Sequence, residues 1–179
     1  GAVADPVGSG LVASLARPGG NITGMSGAIA EMSGKILGLL HEAVPAATRI
    51  GVLVNVADPF HLRLIEQIEA ANRIVKIDLS IFRVTRPGEI AATFDAMAAQ
   101  KIEAAIIQPT LPRAEVIALS IRHRLPTASA VRGHAEDGGL LAYSGKLADT
   151  MGVVAGQVDR ILKGTKPADI PVQQPTKFE

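Results

Sequence analysis

The chain has 179 residues, of which 47% are hydrophobic and 20% charged, a size and composition that suit one domain with a buried core. Its 18 basic and 17 acidic residues give a formal net charge of +1 and form no basic run, which argues against a nucleic-acid partner. The absence of cysteine excludes disulfides, thiolate metal sites and a cysteine nucleophile.

The first 27 residues differ from the rest of the chain. Residues 7–16 predict a short helix, and RPGGNITGMSG at 17–27 is rich in glycine and too polar for a buried core. A segment of this kind between two helices is typical of a hinge between domains. Thr23 and Ser26 are candidate hinge residues, because their hydroxyl groups can satisfy backbone groups where the chain crosses.

Beyond this segment, helix and strand patterns alternate. The β-branched run RIGVLV is typical of a strand covered on both faces, and Asp58 can cap the helix after it, with Pro59 in the first turn. Repeated β–α units with short links predict an α/β fold with a doubly wound parallel sheet, for which 2-1-3-4-5 is the usual strand order. The predicted strands are 49–54, 77–84, 103–108, 126–130, 139–144 and a last one near PADIPV; the predicted helices are 33–44, 59–74, 87–100, 111–124, 131–137 and 147–163.

Ligands of such sheets bind beyond the carboxyl ends of the strands, which gives a set of candidate ligand-binding residues. Asn55, Asp58 and Phe60 follow the first strand of the alternating region, where a helix N-terminus offers N–H groups to an anion; Asp58 is alternatively a helix cap and nothing more. Gln108 and Thr110 can bond to the α-groups of an amino acid, or belong to a solvated loop.

Ser129 is a candidate of the same kind, and Tyr143 is a further candidate. Tyr143 is the single tyrosine of a chain with four phenylalanines and no tryptophan, and it ends an apolar strand. Its ring can stack on a ligand and its phenol can bond to one; alternatively it braces the hinge, where Ser144 is the third candidate hinge residue.

Other patterns fail the tests of spacing and context. Gly8, Gly10 and Ala13 match a dinucleotide fingerprint, but no strand runs directly into the glycines. The four histidines show no metal-ligand spacing and are expected on helix surfaces, so the sequence predicts no metal or cofactor. The sequence has no nucleophile-elbow motif that would place a serine in a catalytic triad with a histidine and an aspartate. We therefore expect a protein without catalytic residues.

The chain resembles the substrate-binding proteins of bacterial ABC transporters, of the type whose known members bind aromatic or other amino acids. The resemblance is carried by five stretches: DPVGSGLVASLARPGGNITGMS at 5–26, LLHEAVPAATRIGVLVN at 39–55, RHRLPTAS at 122–129, GGLLAYSGKLAD at 138–149 and VDRILKGTKPADIPVQQPTKFE at 158–179. It departs from the family pattern in the loops NVADPFH and QPTLPR.

The resemblance implies a type I periplasmic-binding fold, in which two Rossmann-like lobes close over a solute. Residues 1–27 would end the first lobe and make a hinge crossing, residues 28–138 would form the second lobe, and residues 139–179 would return to the first lobe and cross again. We therefore expect a piece of a longer, processed protein that binds ligand weakly or not at all by itself and can self-associate.

The resemblance also implies a function, a partner and a location. The protein would deliver a small molecule, an amino acid in the first instance, to a membrane permease from the periplasm or from a lipid anchor outside the cytoplasm. The alternatives are a fragment of a nucleotide-binding enzyme and the ligand-sensing domain of a regulator, since repressor-type effector domains share the two-lobed fold.

Overall fold

A computed structural model describes residues 2–3 and 5–179 of the chain. Two compact units are present: the described residues up to Ile29 together with Gly145–Glu179 form one, and Ala30–Ser144 form the other. The strands are β1 (Ala2–Val3), β2 (Met25–Ser26), β3 (Arg49–Asn55), β4 (Asp78–Val84), β5 (Ala104–Ile107), β6 (Thr127–Ser129) and β7 (Leu141–Ala142). The helices are α1 (Ile29–Ala43), α2 (Phe60–Val75), α3 (Ile90–Ala99), α4 (Arg113–His123), α5 (Arg132–Glu136) and α6 (Leu147–Leu162).

The larger unit contains a five-stranded sheet in which every neighbouring pair is parallel. Its order is β4-β3-β5-β6-β7, which is 2-1-3-4-5 when counted from β3 and confirms the predicted doubly wound α/β fold. The order reverses direction at β3, because β4 lies on one side of it and β5 on the other. Right-handed crossovers therefore place α2 and α3 on opposite faces of the sheet.

Strand β3 is buried on both faces, as its run of β-branched residues predicts. Leu53 belongs to an apolar cluster with Phe94 and Met97 of α3 and Val116 of α4, all nearly inaccessible to solvent. Side chains alternate along a strand, so Val52 faces away from this cluster. Each such side chain contributes about 1.5–3 kcal/mol through burial, so packing on both faces of β3 stabilises the larger unit.

The predicted helix at 7–16 is wrong. Residues in this stretch form successive turns, with the N–H of Leu11 bonded to the carbonyl of Pro6 at 3.0 Å, and Gly10 lies in the left-handed region at φ +72°. A glycine adopts this conformation without steric cost, and a helix cannot continue through it. The predicted helix at 33–44 does form, but it begins earlier, at Ile29.

The smaller unit joins the N-terminal crossing to the C-terminal segment. Strands β1 and β2 pair in parallel, and Met25 forms one further bridge with Gln173, where a longer final strand was predicted. The Thr23 hydroxyl donates to the carbonyl of Ile170 at 2.7 Å, and the N–H of Ser26 donates to that of Gln173 at 2.8 Å. Thr23 and Ser26, two of the three candidate hinge residues, therefore lie where the N-terminal crossing meets the C-terminal segment of this unit.

Among residues 2–3 and 5–179, no helix has both the length and the apolar character that crossing a membrane requires.

Candidate functional site

Three polar residues meet at the carboxyl edge of the sheet, where β3 and β5 end. Gln108 is completely buried, and its Nε2 donates to Oδ2 of Asp58 at 2.8 Å. Its Oε1 accepts from the N–H of Asn55 at 2.9 Å, which fixes the orientation of the amide. Gln108 thus ties the loop after β3 to the end of β5.

The second carboxylate oxygen of Asp58 serves helix α2. Oδ1 accepts from the N–H of Phe60 at 3.0 Å, and Pro59 already has helical angles of φ −54° and ψ −23°. Asp58 is therefore the N-cap in geometry, with Pro59 at the first helical position. The side chain of Asn55 is used locally as well, because its Oδ1 accepts from the N–H of Ala57 at 3.0 Å.

Ser129 occupies the corresponding place at the end of β6. Its hydroxyl donates to the carbonyl of Ile107 on the neighbouring strand at 2.8 Å, and its own carbonyl accepts from the N–H of Tyr143 at 3.1 Å. Because this bond uses the only hydroxyl hydrogen of Ser129, its buried oxygen can form further hydrogen bonds only as an acceptor.

A cavity of about 90 Å³ lies beyond the carboxyl ends of β5 and β6, and we call it the rim pocket. Two of the predicted site residues, Gln108 and Ser129, line it. Arg113 and His134 also line it, and apolar side chains complete the wall: Ile107, Pro109, Leu111, Val116 and Val131.

Arg113 and His134 are the pocket residues that the sequence interpretation missed. His134 is 1% exposed, so the expectation of a helix-surface position is wrong for this histidine; its Nε2 lies 3.0 Å from Oγ1 of Thr127. Burial lowers the pKa of its imidazole, which favours the neutral ring at neutral pH. The signal that could have found both residues is position, since each follows closely on the end of a buried strand.

Arg113 is held at the pocket by a charged partner and by a glycine. Its Nε lies 2.6 Å from Oδ2 of Asp137, and both side chains are about half exposed. A Cβ atom at Gly133 would lie only 2.6 Å from Nη1 of Arg113, so the guanidinium occupies space that any other residue would fill.

Tyr143 lies in a different place from Gln108 and Ser129. It is half-buried beside a groove of about 260 Å³, the α1 groove, which is lined by Lys35, Gly38, Leu39, Glu42 and Tyr143. The Nζ of Lys35 is 5.8 Å from the centre of its ring, within the range of a cation–π contact. The structure does not bring Tyr143 into the rim pocket.

The remaining candidates also lie outside the rim pocket lining. Thr110 is exposed on the loop after β5, Phe60 is half-buried at the start of α2, and Ser144 is buried. In the part of the chain that the structure describes, no three histidine or acidic side chains are grouped as metal ligands would be.

The chain is similar to known proteins in both sequence and fold. A family model described as "ABC transporter substrate binding protein" matches residues 1–179. A solved ABC domain in complex with L-Trp from Streptococcus pneumoniae is 26% identical with a TM-score of 0.86, over 99% of this chain and 62% of that one. A conserved domain protein from Vibrio cholerae has a TM-score of 0.87 at 22% identity, over 99% of this chain and 60% of that one, which shows the same fold.

A relative with a recorded ligand matches over a shorter stretch. A tyrosine-binding protein from Clostridioides difficile is 44% identical over 57 residues, which is 32% of this chain and 16% of that protein. The chain thus spans about three fifths of the similar solved structures, at 60% and 62% of their lengths, and matches a smaller share of this relative.

Proposed function

Because the chain belongs to the family of ABC transporter substrate binding proteins, we propose that it is part of a protein that captures an amino acid for an ABC importer. Members of this family are solute-binding proteins rather than enzymes, and they act outside the cytoplasm with a membrane permease. In this proposal the protein has no catalytic residues, and it works in the periplasm or from a lipid anchor.

The observation that carries the proposal is the rim pocket. It lies beyond the carboxyl ends of parallel strands, which is where ligands of open α/β sheets bind. Its wall combines apolar side chains with a few polar groups from Gln108, Ser129, Arg113 and His134, as small-molecule sites do.

The amino-acid ligand is supported by two similar proteins. One is bound to L-Trp and is 26% identical to this chain, and the other is a tyrosine-binding protein that is 44% identical over its matched 57 residues. Tryptophan and tyrosine are both aromatic amino acids, and we extend that ligand class to this chain.

The proposed mechanism is closure of two lobes around the solute. Residues 28–138 would provide one lobe, and Thr23, Ser26 and Ser144 would lie at the crossings that bend. A ligand shifts the balance between open and closed states only by its difference in affinity for the two, so it must touch both lobes in the closed state. Asn55, Asp58, Phe60 and Thr110 of this lobe, and Tyr143 of the return crossing, would be the further residues that shape or contact the site.

The test is a thermal-shift screen of the protein expressed from its complete reading frame, against the common amino acids and a matched set of nucleotides. A specific ligand at 100 times its dissociation constant stabilises the folded state by about 2.7 kcal/mol, which raises the melting temperature by several degrees. We expect aromatic amino acids to give this shift. A shift with nucleotides and none with any amino acid would favour the enzyme alternative and overturn the proposal.

A further inference from the structure

We propose that the rim pocket receives the carboxylate of the solute and that Arg113 is the cation that binds it. This inference rests on the proposed function, because it names the chemical group by which this lobe would recognise its ligand. Three properties of the pocket carry it: its size, the charge of its lining and the bonds already made by its buried polar groups.

The size of the rim pocket suits one end of a ligand. Sites that enclose a whole drug-sized molecule have volumes of about 300–1,000 Å³. The rim pocket has about 90 Å³, room for a small polar group and too little for an amino acid with a bulky side chain. It is therefore a subsite.

The lining of the rim pocket has one sign of charge. Among its described lining residues, Arg113 is cationic, His134 is kept neutral by burial at neutral pH, and none is acidic. A guanidinium has five N–H donors in a planar fork that matches a carboxylate, and the contact with Asp137 is made by Nε. Because that ion pair is half exposed, it contributes little to stability, while it keeps the guanidinium beside the pocket.

The buried polar groups complement the rest of an amino acid's head group. The oxygen and the nitrogen of the Gln108 amide are both hydrogen-bonded, to Asn55 and to Asp58, so this side chain lines the pocket in a fixed orientation. The hydroxyl of Ser129 donates to a backbone carbonyl and can only accept from a ligand, which suits an ammonium beside the carboxylate. Gly133 completes the arrangement, since a larger residue there would push the guanidinium away.

The experiment compares ligands with and without a carboxylate, using calorimetry on the protein from its complete reading frame. The pairs are L-tryptophan with tryptamine and L-tyrosine with tyramine, and the variants are Arg113→Gln, Gly133→Ala and a control, Arg63→Gln. Arg63 is a matched control because it also forms a half-exposed ion pair, with Glu66 on α2, away from the pocket. Circular dichroism melting checks that each variant is folded.

We expect the amino acids to bind and the amines to bind weakly or not at all. Arg113→Gln should weaken amino-acid binding by about tenfold or more, the usual effect of losing a hydrogen bond to a charged group, whereas Arg63→Gln should change it by less than about twofold. Gly133→Ala should weaken binding in the same direction as Arg113→Gln. Equal affinity of Arg113→Gln and Arg63→Gln for an amino acid would overturn the inference and leave the proposed function standing.

A second probe separates the two proposals when no amino acid binds. Titration with sodium acetate, followed by NMR, tests the carboxylate subsite directly. In the wild type, acetate should shift the signals of the Arg113 side chain and the Ser129 amide. Loss of the Ser129 shift in Arg113→Gln would support the subsite even though the amino-acid proposal had failed. No saturable shift with acetate and no binding of any amino acid would overturn both.

Discussion

Gln108 Nε2 and Asp58 Oδ2 form a 2.8 Å hydrogen bond that joins two loops fifty positions apart in the sequence. The same amide accepts from the backbone N–H of Asn55, so one buried side chain satisfies the end of β3 and the N-cap of α2 together. Residues predicted as separate ligand contacts are thus partners in one network, and their first effect is to fix the shape of the sheet edge.

This network predicts a large effect of Gln108→Leu on stability. The leucine would leave the Asn55 N–H without its acceptor and Asp58 Oδ2 without its donor, at a cost of about 1–3 kcal/mol. Urea titration of the purified protein measures the free energy of unfolding. Gln174→Leu, at an exposed position, is the control and should stay within about 0.5 kcal/mol of the wild type. Similar effects of the two leucines would contradict the network.

Asp58 allows the two functions of its carboxylate to be separated. Asp58→Ala removes the cap of α2 and the acceptor for Gln108, and should cost at least about 1 kcal/mol. Asp58→Asn keeps an oxygen that accepts from the Phe60 N–H, but it places an NH₂ group against the Nε2 group of Gln108, so two donors face each other. The Gln108 amide cannot rotate to relieve this, because its Oε1 accepts from the N–H of Asn55. The expected order of unfolding free energies is wild type, then asparagine, then alanine; asparagine at the wild-type level would show that the Gln108 bond contributes nothing.

The strands of the sheet could be predicted because a strand buried on both faces has a continuous run of apolar residues, as in β3 and β5. The strand order was expected only because 2-1-3-4-5 is the usual order for such sheets, and the structure has that order. The stretch 7–16 failed because its apolar spacing imitates a helix, while Gly10 takes a left-handed conformation that a spacing argument does not test. The predicted start of helix α1 was too late, because no capping residue in the sequence marks its beginning at Ile29.

The candidate site could be predicted in position and only partly in composition. The rule that ligands bind beyond strand ends led to Gln108 and Ser129, which line one pocket, although their binding of a ligand stays a prediction. It did not lead to Arg113 or His134. Each follows closely on the end of a buried strand, so position could have suggested it, but its contact with the pocket depends on the missing side chain of Gly133 and on the burial of His134, which the sequence does not show.

His134 predicts a loss of stability in mild acid. Burial lowers the pKa of its imidazole in the folded state below the ordinary value near 6.5. A hydrogen bond with Thr127 and the charge of Asp137 oppose this more weakly, and the charge of Arg113 reinforces it. The unfolded chain then binds more protons than the folded protein as the pH falls below about 6.5. The contribution of His134 is therefore complete above that pH and is lost below it, with a slope of at most about 1.4 kcal/mol per pH unit.

The measurement is the free energy of unfolding between pH 7.5 and pH 5, for the wild type and for His134→Leu. The leucine variant should be less dependent on pH across this range, whatever its stability at pH 7.5. Parallel curves for the two proteins would mean that His134 does not titrate differently on folding.

Alanine substitution at Gly152 and at Gly139 should change the stability of the protein in opposite directions. Gly152 lies inside helix α6 with a negative φ, and a Cβ there would meet no atom within 4 Å, so Gly152→Ala should stabilise the protein by about 0.5–1 kcal/mol through helix propensity. A Cβ at Gly139 would lie 2.3 Å from Cδ2 of His134 and 2.7 Å from its carbonyl oxygen, so Gly139→Ala must displace the backbone or the buried ring. We expect it to destabilise by about 1–3 kcal/mol, as overpacking does. Melting temperatures of the two variants give the signs directly, and a neutral Gly139→Ala would show that His134 is free to move out of the rim pocket.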